Sequence, residues 1–532
     1  MNSVFLVLAA VVFFILGYRF YSKYISAKLG IDNSRETPAH TNRDGVDYLP
    51  AKAPVLLGHH FASIAGAAPI IGPVVAATYG WIPVYLWIII GGIFIGAVHD
   101  FVSLTASIRH QGRSIGEVIE EKLGSFGKKL FLIFAWATLI LVIAAFTIIV
   151  ARTFNRIPEA GTASILFIIL AVVFGFGVYR RNIPLGAASV IGVALLGFCI
   201  YLGVLFPLQL SISSWTYLLL GYVIIASVVP VWILLQPRDY LNSFLLYVLI
   251  AGAFIGIFIL RPSIQYVGYT GFNQNLGYLF PILFVTVACG AISGFHSLVA
   301  SGTTSKQLNK ESDARVIGYG GMLIESLLAV ISIITVIILT KSRYAELSSN
   351  PVGLFSEGVA SFFNSFGVPH RVGVIFTSLA VSAFALTTLD TATRLGRYTF
   401  QEFFSKRGEA KSSILGSNRY IATVITVAAA SVLALSGKWQ VIWPLFGSAN
   451  QLLAALALLA VTIWLSGKKI KSWFTIIPMI FMFVVALSAL FVLILNTFSK
   501  GQYLLSFLSL LLFIVAVVQA GLAFKKVRGI NN

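Results

Sequence analysis

Charged residues are scarce in this 532-residue sequence. Asp, Glu, Lys and Arg together make up 10% of the chain, whereas they account for about a quarter of an ordinary soluble domain. Hydrophobic residues make up 58%, and they fall in runs about 20 residues long, the length of a helix that spans a bilayer. This composition excludes a soluble protein and predicts an all-α polytopic membrane protein.

Cysteine is nearly absent as well. Cys199 and Cys289 are the two cysteines, and both lie inside apolar runs, so we expect neither a disulfide framework nor a thiolate metal site. The sequence also has no Gly-rich phosphate loop, zinc signature or hydrolase nucleophile motif. We therefore expect no metal, no cofactor and no enzymatic activity, and ATP-driven transport would require a partner chain.

Most of the charges that are present are positive, with 37 Lys and Arg residues against 18 Asp and Glu residues. A net charge of +19 could indicate nucleic-acid binding, but the basic residues stand in short links between apolar runs and form no single basic face. Lys and Arg accumulate in the cytoplasmic loops of membrane proteins. Their distribution predicts a multi-pass protein in contact with the lipid bilayer and not with nucleic acid, with its N-terminus outside and its C-terminus in the cytoplasm.

The apolar runs predict about fifteen transmembrane helices in three regions. Residues 1–57 form the first transmembrane helix and a cytoplasmic linker, residues 58–415 form a transport core, and residues 416–532 form peripheral transmembrane helices. The linker, residues 30–54, carries charges of both signs and is too short to be a domain.

Two of the predicted spans are interrupted by prolines, the second within residues 58–73 and the seventh within residues 228–239. Proline removes a backbone donor and clashes with the preceding turn, so both helices should break, although a simple kink is the alternative interpretation. Broken backbone at membrane depth is tolerated where it lines a cavity. Because the two spans are five apart, they cross in opposite directions. This favours a five-plus-five inverted-repeat core in which the second to sixth spans face the seventh to eleventh.

We predict a substrate site between these two breaks, near the middle of the membrane. The N-terminal ends of half-helices present unpaired amides and a partial positive charge, so such a site suits an anion. The positions expected nearest to the substrate are Ser63, Gly66, Pro69, Trp232, Gln236, His296 and Ser297. A histidine such as His296 is equally often a satisfied structural residue.

Ionisable side chains inside membrane spans are costly, so each is a candidate for coupling or gating. Glu325 lies roughly 14 Å into the tenth span, near the bilayer centre, at about 1.5 Å per residue. An apolar environment favours the neutral form of a carboxylate, so Glu325 could exchange a proton near neutral pH. An interhelical hydrogen bond is the alternative role. Asp100, beside His99 near the end of the third span, suits either coupling or an interfacial pair.

Three further charged residues are gating candidates. Asp390 and Arg394 lie one helical turn apart in the eleventh span and could pair as a structural clasp or a gate. Asp239 ends the second interrupted stretch.

Several long segments resemble the carbon starvation protein A family of bacterial inner-membrane transporters. These are GHHFASIAGAAPIIGP at 58–73, GAVHDF at 96–101, PVWILLQPRDYL at 230–241, SGFHSLVASGTTSKQL at 293–308, MLIES at 322–326, DTATRLGRY at 390–398 and FGSANQLLAA at 446–455. The resemblance implies a protein of the bacterial cytoplasmic membrane with a fold similar to that of amino acid/polyamine/cation transporters. It also implies uptake of pyruvate or peptides under nutrient limitation, with protons as the coupling ion.

The function expected from these observations is secondary active, proton-coupled uptake of a small carboxylate such as pyruvate. Peptide uptake is the first alternative, and sodium is the alternative coupling ion. A membrane-embedded metallohydrolase that uses His59, His60, His296 and carboxylates belongs to a different class. Adjacent residues such as His59 and His60 do not share a helix face, which makes them a poor metal site. A nutrient-sensing receptor is a further alternative.

Overall fold

The protein is built almost entirely of helices. The computed structural model describes residues 2–45, 47–404, 413–436 and 439–530. Up to residue 260 the helices are α1 (Ser3–Leu16), α2 (Ser22–Leu29), α3 (Pro38–Thr41), α4 (Ala53–Ile64), α5 (Ala68–Ala76), α6 (Trp81–Gly91), α7 (Ala97–Arg109), α8 (Ile115–Arg156), α9 (Pro158–Arg180), α10 (Leu185–Leu205), α11 (Ile212–Val228) and α12 (Leu235–Leu260). A short hairpin follows, in which β1 (Asn273–Gln274) pairs with β2 (Gly277–Tyr278) in antiparallel orientation. The later helices are α13 (Leu279–Thr286), α14 (Gly294–Gly302), α15 (Gly321–Ile337), α16 (Lys341–Leu347), α17 (Pro351–Asn364), α18 (His370–Phe404), α19 (Ile414–Ser417), α20 (Arg419–Leu435), α21 (Trp439–Gly467), α22 (Trp473–Ser499) and α23 (Tyr503–Ile530).

Membrane-spanning length is reached by eleven helices of the described chain, and the bent pair α4–α5 adds a twelfth. Some of these spans join two helices through a π-helical turn, as α6 and α7 do through Gly92–Gly96. Helices α11 and α20 are apolar but have only 17 residues each. The all-α polytopic prediction is confirmed, and the number of about fifteen spans stays a prediction.

Burial separates a central group of helices from a peripheral one. Helix α8 packs against both α18 and α21, and most of the apolar part of each of the three is buried inside the protein. Helix α10, by contrast, packs mainly on α9 and exposes apolar side chains such as Val190 and Ile191. An exposed apolar face on a helix of spanning length suits contact with lipid, so the α9–α10 hairpin lies at the periphery.

The first predicted break is confirmed. Helix α4 ends at Ile64, α5 begins at Ala68, and the two are bent by 43°. Pro69 occupies the first turn of α5, where its missing N–H has no helical partner to lose. The chain therefore leaves the helix over residues 65–67 and resumes it at once.

The second predicted break falls at a helix end, but it separates two helices and does not interrupt one. Helix α11 ends at Val228 and α12 begins at Leu235, so residues 229–234 join two separate helices and do not interrupt one span. Pro230 follows the end of α11, and Pro237 lies in the first turn of α12. Proline is common where a helix ends, but its position in the sequence does not tell whether that end lies between two spans or inside one.

A different stretch is interrupted in the protein interior. Residues 287–293 separate α13 from α14 and contain no proline. They lie against the first break: a Cβ atom on Gly72 of α5 would come within 2.6 Å of the Thr286 carbonyl oxygen, and one on Gly290 would lie 4.0 Å from the Pro69 Cα. Residues 287–293 therefore lie close to the start of α5, directly after the non-helical stretch 65–67.

Candidate substrate and coupling site

The first break packs against α18. The hydroxyl of Thr388 donates to the Ser63 carbonyl at 3.0 Å, and the hydroxyls of Ser63 and Thr391 lie 3.2 Å apart. A Cβ on Gly66 would lie 2.5 Å from Thr388 Oγ1 and 2.8 Å from the Phe146 ring. A carbonyl freed by the break is thus satisfied by a side chain, and the stretch is closed tightly over α18 in this conformation.

The second interruption ends at the N-terminus of α14. The Phe295 amide donates to Asn450 Oδ1 at 2.8 Å, so a side-chain oxygen of α21 already binds this helix terminus. The Ser297 hydroxyl donates to the Gly294 carbonyl at 2.7 Å. Such a terminus favours acceptor groups because its amides have no intrahelical partner.

Four ionisable side chains meet beside this terminus. The Nδ1 atoms of His296 and His99 each lie 2.8 Å from an oxygen of Asp100, so both imidazoles can donate to one carboxylate. His296 Nε2 lies 3.4 Å from a Glu325 oxygen. All four residues are 0% exposed. His99 and Asp100 do form a pair, but the interfacial alternative for it is wrong, because both side chains are buried and Asp100 also contacts His296 of α14.

The contact between His296 and Glu325 carries a specific electrostatic problem. Among the described residues, His296 Nε2 and both carboxylate oxygens of Glu325 have no hydrogen-bond partner. With Nδ1–H donated to Asp100, a neutral His296 presents a lone pair at Nε2 to the Glu325 carboxylate. Two acceptor atoms this close in a buried place repel each other unless a cation or a proton lies between them.

Close backbone packing brings these residues together. A Cβ on Gly96 would collide with the Ala291 carbonyl, so α7 lies directly against residues 287–293. π-Helical turns at Gly92–Gly96 and Arg315–Gly320 precede α7 and α15, the helices that carry Asp100 and Glu325. Such turns widen a helix locally and re-aim its side chains.

A second buried network surrounds Arg238. Its guanidinium pairs with Asp390 and with Asp239 at 3.0 Å, and it also contacts the Tyr222 hydroxyl. The Tyr222 hydroxyl donates to Asp390 at 2.6 Å, and His59 Nδ1 lies 2.8 Å from the other oxygen of Asp239. This network ties α4, α11, α12 and α18 to one another, next to the Ser63–Thr391 contact.

The predicted pairing of Asp390 with Arg394 is wrong. Within the described chain, the ionic partner of Asp390 is Arg238, while Arg394 bonds the carbonyls of Ala226 and Val229 and lies 3.5 Å from Asp47. Spacing along α18 would allow the pair, but helices from elsewhere in the sequence supply better-placed partners.

Trp232 and Gln236 contact residues away from the first break. The Trp232 ring lies 5.0 Å from the Arg180 guanidinium and packs on aromatic rings of α9. Gln236 accepts from the Tyr179 hydroxyl at 2.8 Å and donates to Gln307. Trp232 lies in the link between α11 and α12 and Gln236 in the first turn of α12, whereas Ser63, Gly66 and Pro69 lie at the first break.

One group of side chains has a geometry that would admit a metal ion. Donor atoms of Cys289, His296 and Glu325 lie within 4.8 Å of one another. The Cys289 thiol is already engaged, 3.5 Å from the Ser293 hydroxyl and 3.7 Å from the Asn450 amide. The histidines of the metallohydrolase hypothesis are divided, since His60 Nδ1 lies 2.8 Å from the Thr304 hydroxyl and His59 contacts Asp239.

The close approach of α5 to the end of α13 makes Gly72 sensitive to substitution. Gly72→Ala would place a methyl group against the Thr286 backbone, so we expect a loss of about 1–3 kcal/mol of stability, as in overpacked cores. Gly197→Ala is the matched control, because a Cβ there meets nothing within 4 Å. Thermal melting of both variants in detergent measures the difference; equal melting temperatures would contradict the tight contact.

Sequence reasoning missed Arg238, Tyr222 and Thr388 as members of the buried network and the break. Arg238 directly precedes Asp239 in a segment that was already singled out. An arginine inside an apolar segment requires a charged partner, so the position of Arg238 in the sequence indicates a buried ion pair. Tyr222 and Thr388 carry no comparable local signal.

Comparison with known proteins identifies relatives along most of the chain. The family described as carbon starvation protein CstA matches residues 2–354 and 347–489. The pyruvate/proton symporter BtsT of Escherichia coli is 32% identical, with 91% of this chain and 80% of that protein covered. The peptide transporter CstA of Campylobacter jejuni is 33% identical over 91% of this chain and 79% of its own, and that of Helicobacter pylori strain 26695 is 35% identical over 87% and 77%.

A solved structure shares the fold. A mutant manganese transporter of Eremococcus coleocola superposes with a TM-score of 0.53 over 92% of this chain and 98% of its own, at 13% sequence identity. This likeness concerns the fold alone. Since the family match covers nearly the whole chain and the relatives exceed 30% identity, this multi-pass membrane protein belongs to the carbon starvation protein CstA family of transporters.

Proposed function

We propose that this transporter carries a small carboxylate such as pyruvate into the cell together with protons. The single observation that supports it most is the buried contact of His296 Nε2 with Glu325 at 3.4 Å. One proton between them removes the repulsion of two acceptors, and its release would restore it. The cluster can therefore exist in two states that differ by one proton, as a coupled carrier requires. A proton fits better than a metal ion because Cys289 is already hydrogen-bonded.

The substrate site in this proposal lies between the two non-helical stretches, residues 65–67 and 287–293. Helices α5 and α14 begin there, and their N-terminal amides would hold a carboxylate. The oxygen of Asn450 already bound at the start of α14 supports this preference for acceptors. Ser63, Gly66, Pro69, His296 and Ser297 are the proposed nearest residues. Trp232 and Gln236 are proposed to contact the substrate later, on the linker side of the protein.

A cavity of about 350 Å³ supports an entrance on the side opposite the linker. It is lined by Val75 near the end of α5, Thr286 before the second interruption and Ser448, with Lys500 and Gln502 among its other lining residues. The cation of Lys500 would attract an anionic substrate. We propose that this side is extracellular and that the linker side faces the cytoplasm of a bacterium, with the N-terminus outside and the C-terminus inside.

The five-plus-five repeat is retained in the proposal with a different pairing of spans. If the peripheral hairpin α9–α10 is set aside, five spans run from α4–α5 through α6–α7, α8 and α11 to α12. Five more run from α13–α14 through α15, α18 and α20 to α21. The two interrupted spans then open the two repeats, which is the arrangement expected of an inverted repeat. The proposed core extends beyond residue 415, into the region predicted to be peripheral.

Uptake into proteoliposomes tests the function. Labelled pyruvate should accumulate when the outside is acidic, and accumulation should collapse when an ionophore removes the pH gradient. A carboxylate that enters with one proton is electroneutral, whereas a second proton makes transport electrogenic and adds about 2.3 kcal/mol per 100 mV. A voltage imposed at constant pH distinguishes the two stoichiometries, because only transport with a second proton responds to it. Uptake that ignores pH and follows sodium would refute proton coupling.

Peptide uptake is the second candidate, since several relatives are named peptide transporters. Unlabelled dipeptides that compete with labelled pyruvate at similar concentrations would favour it. A substrate-dependent hydrolytic activity together with a stoichiometric bound metal in purified protein would instead favour the metallohydrolase.

A further inference from the structure

A cluster of cations lies at the linker end of α18. The carboxylate of Asp47 reaches into it from the linker, accepts a hydrogen bond from the Tyr398 hydroxyl and lies 3.5 Å from Arg394 Nη1. Lys306 Nζ lies 4.3 Å above the Tyr398 ring, and the Arg397 guanidinium lies 4.4 Å from the same ring. Three cations therefore surround one carboxylate and one phenol.

Positive charge in this cluster exceeds what Asp47 balances. Arg394 and Arg397 are 1% and 4% exposed, and the Nε–H of each has no hydrogen-bond partner among the described residues. Glu402, a further acid near Lys306, accepts a hydrogen bond from the Ser114 hydroxyl at 2.8 Å. Guanidinium groups bind carboxylates through two parallel N–H donors, so unused donors here fit an additional or larger carboxylate.

The linker presents Asp47 in a fixed way. One carboxylate oxygen of Asp44 accepts from the amides of Asp47 at 2.9 Å and Tyr48 at 2.8 Å, which closes a turn that carries Asp47. Burial raises the pKa of the Asp47 carboxyl, but Lys306, Arg394, the Tyr398 hydrogen bond and Arg397 outweigh burial and leave this pKa below its ordinary value. The residue in the cluster is thus a carboxylate anion, the same group that the proposed substrate carries.

The cluster lies in line with the proposed substrate site. Helix α18 carries Thr388 at the first break, Asp390 in the Arg238 network, and then Arg394 and Arg397. Thr388 and Arg397 are nine residues apart, or about 14 Å along the helix axis. A carboxylate released at the break toward the linker would pass Arg238 and then reach this cluster.

We propose that Lys306, Arg394, Arg397 and Tyr398 form a second carboxylate site, which Asp47 fills in this conformation and a small carboxylate fills when the linker moves away. The inference deepens the proposed function, since it gives the substrate a release site on the linker side. A tethered carboxylate competes at a high effective concentration. The linker would therefore close the exit until substrate displaces it.

Binding of acetate and pyruvate to purified full-length protein tests the site without transport. In detergent free of anionic lipid, Asp47→Ala should bind either anion at least about tenfold more tightly than the unmodified protein, because the tethered competitor is gone. Glu36→Ala is the matched control, since it removes an exposed acid from the same linker. Asp47→Asn, which keeps the shape of the side chain, should behave like Asp47→Ala.

A second pair of variants locates the binding. Adding Arg397→Gln to Asp47→Ala should abolish the gain in affinity, whereas a gain that persists would place the anion elsewhere and overturn the proposal. Equal affinities in unmodified, Asp47→Ala and Glu36→Ala proteins would overturn it too. Binding that appears only when anionic lipid is added would assign the site to lipid headgroups and would also overturn it. Failure of pyruvate transport together with acetate binding to Asp47→Ala would refute the proposed function and leave this site standing.

Discussion

Glu325→Gln is expected to exchange labelled substrate across the membrane at close to the normal rate but to lose uptake driven by a pH gradient. The amide has nearly the shape of the carboxyl group and can donate to His296 Nε2, so the cluster would stay in a state that resembles the protonated one. It can neither bind nor release the proton. A gradient of one pH unit stores about 1.4 kcal/mol per proton, which supports about tenfold accumulation, and this factor should disappear.

The control for this prediction is Glu346→Gln, which removes an exposed carboxylate paired with Arg343 on α16. It should retain full accumulation. Concentrative uptake by Glu325→Gln at the normal level would remove Glu325 from the coupling role and would shift the search to Asp100 or Asp390. A collapse of exchange as well would show that Glu325 is needed for substrate movement itself.

Arg238→Met is expected to cause the largest loss of stability, about 3–5 kcal/mol. Asp390 and Asp239 are 0% exposed, and Arg238 is the cation that faces both. Removing it leaves buried negative charge without compensation, whereas the methionine keeps much of the side-chain volume. The melting temperature in detergent, or the yield of folded protein from membranes, measures the effect.

A second substitution separates charge from packing. Combining Arg238→Met with Asp390→Asn removes one of the stranded charges and should recover part of the lost stability. Arg343→Met breaks an exposed ion pair and should change stability by less than about 1 kcal/mol. A double variant as unstable as the single one would show that packing, and not charge balance, makes Arg238 important.

The first break could be predicted because its cause is local. Two prolines and several small residues lie within 58–73, and a proline in a helix interior kinks or breaks that helix wherever it packs. The break lies just before Pro69, whereas Pro73 is accommodated inside α5. The same rule did not find an interruption within one helix at the second break, since Pro230 and Pro237 lie at the ends of α11 and α12. Residues 287–293 contain no proline, and they are held open by close contacts with α5 and α7 that no local pattern records.

For the candidate coupling residues too, the sequence predicted which residues matter but not which partners they contact. The depth of Glu325 in its apolar run was enough to select it, and His296 was selected as a buried polar group. Their contact was not predictable, because it joins α14 to α15 through the packing of α7 between them. Asp390 had a suitable partner one turn away in Arg394, yet it pairs with Arg238 of α12.

Composition and the length of the apolar runs alone determined that this chain crosses a membrane many times, and the motifs determined its family. The hydrophobicity of a run is a sum over neighbouring residues, and it sets the free energy of transferring that segment from water into the bilayer. Tertiary structure alone decided which charges pair, which interruptions lie close together and where Asp47 is bound. Charged groups in a low-dielectric interior choose partners by distance in space, and helix packing brings together residues that stand hundreds of positions apart in the chain.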